Sequence, residues 1–165
     1  MPSVRQVVKV GMADMNDCSP PQLLRTSGLG SCIGLVIYDE QCQRAVMAHV
    51  MLPDSSMSKP GALNIAKYAD TAIAAAIEKL ESFGSMKINM QAKIAGGAQM
   101  FSFAGSSEIM RVGPRNVEAV KKFLNNYQIR LIAEDTGGSN GRTIEFDPED
   151  ASLKIRTVNQ GEVVI

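Results

Sequence analysis

The sequence predicts one α/β domain over residues 1–165, a layered sandwich of mixed and antiparallel strands with two main helices. Three observations carry that reading. Two apolar runs around a short polar connection form a hairpin pattern, one amphipathic stretch has helical period, and the C-terminal third breaks into short strands between glycine and Asp-Pro turns. Roughly eight strands and two helices are expected, without strict strand-helix alternation, which argues against a doubly wound sheet. With 45% apolar and 21% charged residues, the composition suits one ordinary core, and neither a repeat nor a linker divides it.

Taken in order, Ser3 to Met12 alternates as a strand, and Asp14 to Pro21 reads as a loop because Asn16, Asp17, Ser19 and two prolines punctuate it. Leu23 to Thr26 is a short extended piece ahead of a glycine turn through Gly28 and Gly30. Cys32 to Tyr38 and Ala45 to Leu52 are rich in β-branched and apolar residues. Joined by the polar Asp39 to Arg44, they read as a hairpin covered on both faces.

Ala62 to Phe83 is the first helix, with Ala69, Ile73, Ala76, Ile77 and Leu80 on one stripe and Lys67, Asp70, Glu78 and Glu81 opposite. Gly84 ends it. Lys87 to Ala95 is a strand entering the Gly96-Gly97 turn, and Ser102 to Ser107 is a small-residue loop. The second helix starts near Pro114 or Asn116 and carries Val117, Val120, Leu124 and Tyr127 inward. Gln128 to Glu134, Arg142 to Phe146, Leu153 to Val158 and Glu162 to Ile165 complete the strands.

Charge and cysteine content narrow the function. Seventeen basic side chains balance seventeen acidic ones, so no basic field gathers phosphates and nucleic acid is not the expected partner. Val4 to Met12 lacks the continuous apolar stretch of a secretory signal, and Thr71 to Ile77 is far short of a membrane span. Three cysteines at irregular spacing point to the reducing cytoplasm, with at least one thiol free.

Two chemical readings fall early. Gly28-Leu-Gly30-Ser-Cys-Ile-Gly34 has the wrong glycine spacing for a dinucleotide fingerprint, and a strand rather than a helix follows it. Cys18, Cys32, Cys42 and His49 are ligand types, but their spacing fits no common zinc module. Cys32 with His49 is the sharper pair. Across a hairpin centred between Glu40 and Gln41 the two stand directly opposite, with Cβ atoms about 4.5 to 5.5 Å apart. A slip of one residue would send them to opposite faces.

An imidazole beside a thiol can take its proton, hold it in an ion pair that lowers the thiol pKa, and later protonate a departing amine. Thr26 is close enough across the glycine turn to orient the ring, and backbone amides around Gly30, Ser31 and Cys32 can form an oxyanion hole. Against this stands the plain packing role of a buried cysteine and a hydrogen-bonded core histidine. Cys18 and Cys42 have no histidine of their own once His49 serves Cys32.

Together the motifs resemble the CheD family of chemoreceptor glutamine deamidases. The resemblance rests on Thr26, Leu29-Gly-Ser-Cys32 and His49-Val-Met-Leu-Pro53. It continues through Lys67-Tyr68, Gly96-Gly-Ala98 with Met100-Phe101, Gly113-Pro-Arg-Asn116, and Asp135-Thr-Gly-Gly138 with Gly141-Arg142. It spans nearly the whole chain. The resemblance implies a three-layer α/β sandwich similar to bacterial toxin deamidases, and hydrolysis of glutamine side chains on the cytoplasmic helical bundle of chemoreceptors. It implies Cys32 as nucleophile, His49 as base and acid, and Thr26 as the orienting residue. It further implies binding to CheC-type phosphatases, with no metal or organic cofactor. The alternatives are a non-catalytic adaptor for receptors and such a phosphatase, and a thiol redox sensor.

Overall fold

The computed structural model describes residues 4–61, 63–99 and 111–165. Within them ten strands form two five-stranded sheets, and two α-helices pack on one of these. The first sheet has the order β1-β3-β8-β9-β10, from β1 (Val7–Lys9), β3 (Leu23–Leu29), β8 (Arg142–Asp147), β9 (Ser152–Thr157) and β10 (Gly161–Val164). The second has the order β2-β5-β4-β6-β7, from β2 (Met15–Cys18), β5 (Arg44–Val50), β4 (Ile33–Asp39), β6 (Met90–Gly96) and β7 (Arg130–Thr136). This is the mixed α/β sandwich that the sequence predicts.

The layers follow from the pattern of apolar residues. β4 is buried at every position, since Ile33, Leu35 and Ile37 face the helices while Val36 and Tyr38 face the first sheet. β8 alternates strictly, with Ile144 and Phe146 turned inward and its other face open to solvent. One core therefore lies between helices and the second sheet, and another between the two sheets. Burying a side chain of Leu or Ile size stabilises by about 1.5 to 3 kcal/mol, so the doubly covered β4–β5 pair anchors both layers.

Helix α1 (Ala69–Ser82) buries Ala69, Ile73, Ala76, Ile77 and Leu80, the stripe read from its period. It is shorter than expected at its start. Residues 65–67 form a single 3₁₀ turn capped by Asn64, and Tyr68 bridges to Leu52, so extended backbone delays the helix. Its end falls where predicted, with the N–H groups of Gly84 and Ser85 turned back onto Glu81 and Leu80. Helix α2 (Val112–Asn126) starts two residues before Pro114, which the first turn tolerates because its N–H groups have no partner within the helix. Val120 and Leu124 are fully covered, and Val117 and Tyr127 pack at the margin of the same core.

Two readings need correction. Asp14 to Pro21 is not wholly loop, because Met15–Cys18 pairs antiparallel with β5 as the edge strand of the second sheet. An edge strand needs only one paired side and tolerates Asn16 and Asp17, which hid it. Lys87 to Asn89 is a 3₁₀ turn, and the strand begins at Met90. The loop expected over Ser102 to Ser107, and the Met100-Phe101 pair, lie outside the described residues.

Candidate active site

The hairpin forms, but its register differs from the expected one. Asp39 pairs with Arg44 and Gly34 with His49, so the turn is centred between Gln41 and Cys42, one residue later than assumed. Asp39 sets that turn by accepting hydrogen bonds from the N–H groups of Gln41 and Cys42, and Gln43 takes the left-handed φ that closes it. Cys32 is therefore not directly opposite His49. It precedes β4 by one residue and keeps the parity of Gly34, which leaves it diagonal to His49 on the same, inter-sheet face.

Gly34 makes room for side chains of the facing sheet. A Cβ there would collide with Ile144 Cδ1 and stand 3.0 Å from Leu29 Cδ1. His49 sits opposite this bare position, 1% exposed, while Cys32 is the partly exposed member of the pair.

Thr26 approaches from the other sheet. Its Oγ1 lies 2.7 Å from Val10 O and 2.8 Å from His49 Nδ1. A hydroxyl has one proton, and the Val10 carbonyl can only accept, so that proton goes to Val10. The Thr26 oxygen is then an acceptor for Nδ1–H. This fixes the neutral imidazole with its proton on Nδ1 and a bare lone pair on Nε2. Nε2 is buried and has no hydrogen-bond partner among the described residues. Such an unpaired buried atom costs about 1 to 3 kcal/mol, the kind of expense met at chemically active positions.

The loop carrying Cys32 is held by its carbonyls. Ala98 N–H donates to Gly30 O, Asn116 Nδ2 to Ser31 O and Gly97 N–H to Cys32 O, each at 2.9 Å. Its amides divide differently. Gly30 N–H donates to Gly28 O at 3.1 Å, whereas the N–H groups of Ser31 and Cys32 have no partner among the described residues. Arg142 steadies the turn behind, donating to Gly96 O and Gly137 O and reaching Asp135.

Burial pushes the Cys32 thiol above its ordinary 9.0 and holds His49 below its ordinary 6.5. Both groups are thus neutral near pH 7, not the ion pair expected from sequence. Desolvation penalises each charged form, and no hydrogen bond joins Cys32 Sγ to the ring to compensate. No group of three or more metal-ligating side chains occurs among the described residues.

Sequence reasoning singled out Cys32, His49 and Thr26 as candidates, and the structure brings Thr26 against His49 with Cys32 on the same face. It missed Val10, whose contribution is a backbone carbonyl, and it read Asn116 as a helix start and as the end of the Gly113-Pro-Arg-Asn116 motif, without giving its side chain a role.

Residues 51–157 match the family described as CheD chemotactic sensory transduction, a span that begins two residues after His49. Whole-chain relatives extend across the site. A protein of Halalkalibacterium halodurans named chemoreceptor glutamine deamidase CheD is 58% identical over 96% of this chain and 98% of its own length. One of the same name from Bacillus subtilis is 54% identical over 96% of each. A probable chemoreceptor glutamine deamidase CheD of Lachnoclostridium phytofermentans is 50% identical over 94% of this chain and 96% of its own.

Proposed function

Because the chain belongs to the CheD family, we propose that it hydrolyses glutamine side chains on chemoreceptors to glutamate and ammonia, as a protein-glutamine glutaminase with Cys32, His49 and Thr26 as its catalytic group. The observation that carries this reading is the bare, buried Nε2 of His49, held in one tautomer by Thr26 on the face that also bears Cys32.

The chemistry starts from a neutral pair. As Cys32 Sγ attacks the side-chain carbonyl carbon of the bound glutamine, the thiol proton passes to His49 Nε2. The imidazolium keeps Nδ1–H on Thr26, which needs no rearrangement. Negative charge forms on the substrate oxygen, and in this reading the amides of Ser31 and Cys32 receive it, the Gly30 amide being engaged by Gly28. His49 then returns its proton to the nitrogen, the C–N bond breaks, and ammonia leaves a thioester on Cys32. Water, deprotonated by the same Nε2, cleaves the thioester to glutamate and restores the thiol. An unstrained amide is a poor electrophile with a poor leaving group, and splitting its hydrolysis in two makes each step easier.

The substrate would be the cytoplasmic helical bundle of the receptor, with the partly exposed Cys32 facing it and His49 behind. A CheC-type phosphatase is the proposed protein partner, competing with the receptor for the surface at Cys32. The test is incubation with a receptor cytoplasmic fragment, followed by peptide mass mapping. A gain of about one dalton at defined glutamines is expected from exchange of the amide for a carboxylate. Binding of the fragment with no such gain would leave an adaptor in place of an enzyme.

A further inference from the structure

Asn116 lies in the first turns of α2 and is fully buried. Its Nδ2 donates to two carbonyls, Ser31 O and Met51 O, each at 2.9 Å. Ser31 is the residue before Cys32. Met51 is two residues after His49, just beyond the end of β5. One planar amide thus ties the loop bearing the thiol to the strand exit bearing the imidazole.

Few side chains can make that tie. An amide nitrogen presents two hydrogens at a fixed angle, so the two carbonyls are set relative to each other as well as to Asn116. A hydroxyl has one hydrogen to give, and an ionised carboxylate none. The helix that carries the amide is itself fixed, because Gly113 approaches Ala98 O so closely that a Cβ would collide with it. Asn116 Oδ1, meanwhile, is buried with no partner among the described residues. A residue kept for filling space alone would not carry an unpaired acceptor there.

We propose that Asn116 is a positioning residue that sets Cys32 against His49. The proposal rests on the Cys32–His49 chemistry given above, and it assigns Asn116 no contact with substrate. Asn116→Asp is the sharpest variant, being isosteric and unable, when ionised, to donate.

The experiment is a double-mutant cycle read by iodoacetamide alkylation of Cys32 at neutral pH in the wild type, Asn116→Asp, His49→Ala and the combination, with the exposed Cys42 as internal reference. Each single change should slow Cys32 by roughly tenfold, and the pair should be no slower than the slower single, because both remove the placement of Nε2 that takes the thiol proton as neutral Cys32 attacks the reagent. Labelling of Cys32 at the wild-type rate in Asn116→Asp, effects that multiply, or a wild-type rate indifferent to His49 would each overturn the proposal.

Deamidation supplies the second readout, with kcat falling roughly 10- to 100-fold and KM within about twofold. Should Asn116→Asp fail to fold, Asn116→Ser keeps one donor and should give an intermediate rate; a folded Asn116→Ser with wild-type labelling sinks the idea. If receptor glutamine is untouched while the labelling cycle behaves as described, the substrate reading fails and the positioning role stands.

Discussion

The two halves of the site are built in different ways. The thiol half is held through its backbone, with the carbonyls of Gly30, Ser31 and Cys32 taken by the N–H of Ala98, the side chain of Asn116 and the N–H of Gly97. The imidazole half is held through a regular ladder and one side-chain contact, β5 supplying the position of His49 and Thr26 the direction of its ring. A change in the first half therefore acts through the path of the chain, and a change in the second acts through where a proton resides.

The largest effect tests whether the halves are equal partners. Cys32→Ala should reduce deamidation to the uncatalysed rate with far-UV circular dichroism unchanged, since Cys18, although on the same inter-sheet face, is buried opposite Ala45, four residues from His49, and Cys42 lies in the hairpin turn; residual turnover would remove the thiol half from the chemistry. In the imidazole half, His49→Ala should cost about 10² to 10⁴ in rate. Thr26→Val should cost less, roughly 10- to 100-fold, because the ring survives without its fixed tautomer. It should also destabilise the fold by about 1 to 3 kcal/mol, having left Val10 O unpaired. Wild-type kinetics in Thr26→Val would mean that the ladder alone orients the ring.

A pH series comes next. His49 titrates below 6.5 because burial opposes its charge, so kcat/KM should be flat through neutrality and fall only as pH drops through that lowered value. The stability sign agrees. Unfolded chain binds a proton at His49 before the folded protein does, so the stability contributed by neutral His49 is complete above 6.5 and is lost as pH falls from there to the folded-state value. An acid limb above 6.5 would place the working base in a more open or negatively charged setting. The smallest effect concerns packing beside the ring. Gly34→Ala forces Ile144 and Leu29 aside, and a cost of about 1 to 3 kcal/mol should lower Tm by several degrees while leaving the thiol half intact.

How much of this was legible in sequence also divides between the halves. Hydrophobic period disclosed α1, α2 and the β4–β5 hairpin, because those elements bury continuous apolar stripes. The polar edge strand β2 left no such signal. Residue type singled out His49, a lone histidine in an apolar strand, whereas Thr26 came from its place across the glycine turn from Cys32. Register was not legible, because Asp39 determines it through two turn hydrogen bonds, and a one-residue shift of the turn centre moves the partner of His49 from Cys32 to Gly34. The ionisation states were hidden too, as they depend on burial. Least visible was the thiol half, where carbonyl oxygens do the holding and every residue type has one.

The Thr26–His49 hydrogen bond runs from β3 in one sheet to β5 in the other. For anyone transplanting this chemistry, the β4–β5 hairpin is consequently an incomplete cassette. Moved alone it would carry His49 next to its thiol, but leave behind both the hydroxyl and the Val10 carbonyl that between them decide which nitrogen is free. The smallest portable unit is a two-sheet sandwich, and a scaffold chosen to receive it has to match the spacing between sheets before it matches any loop.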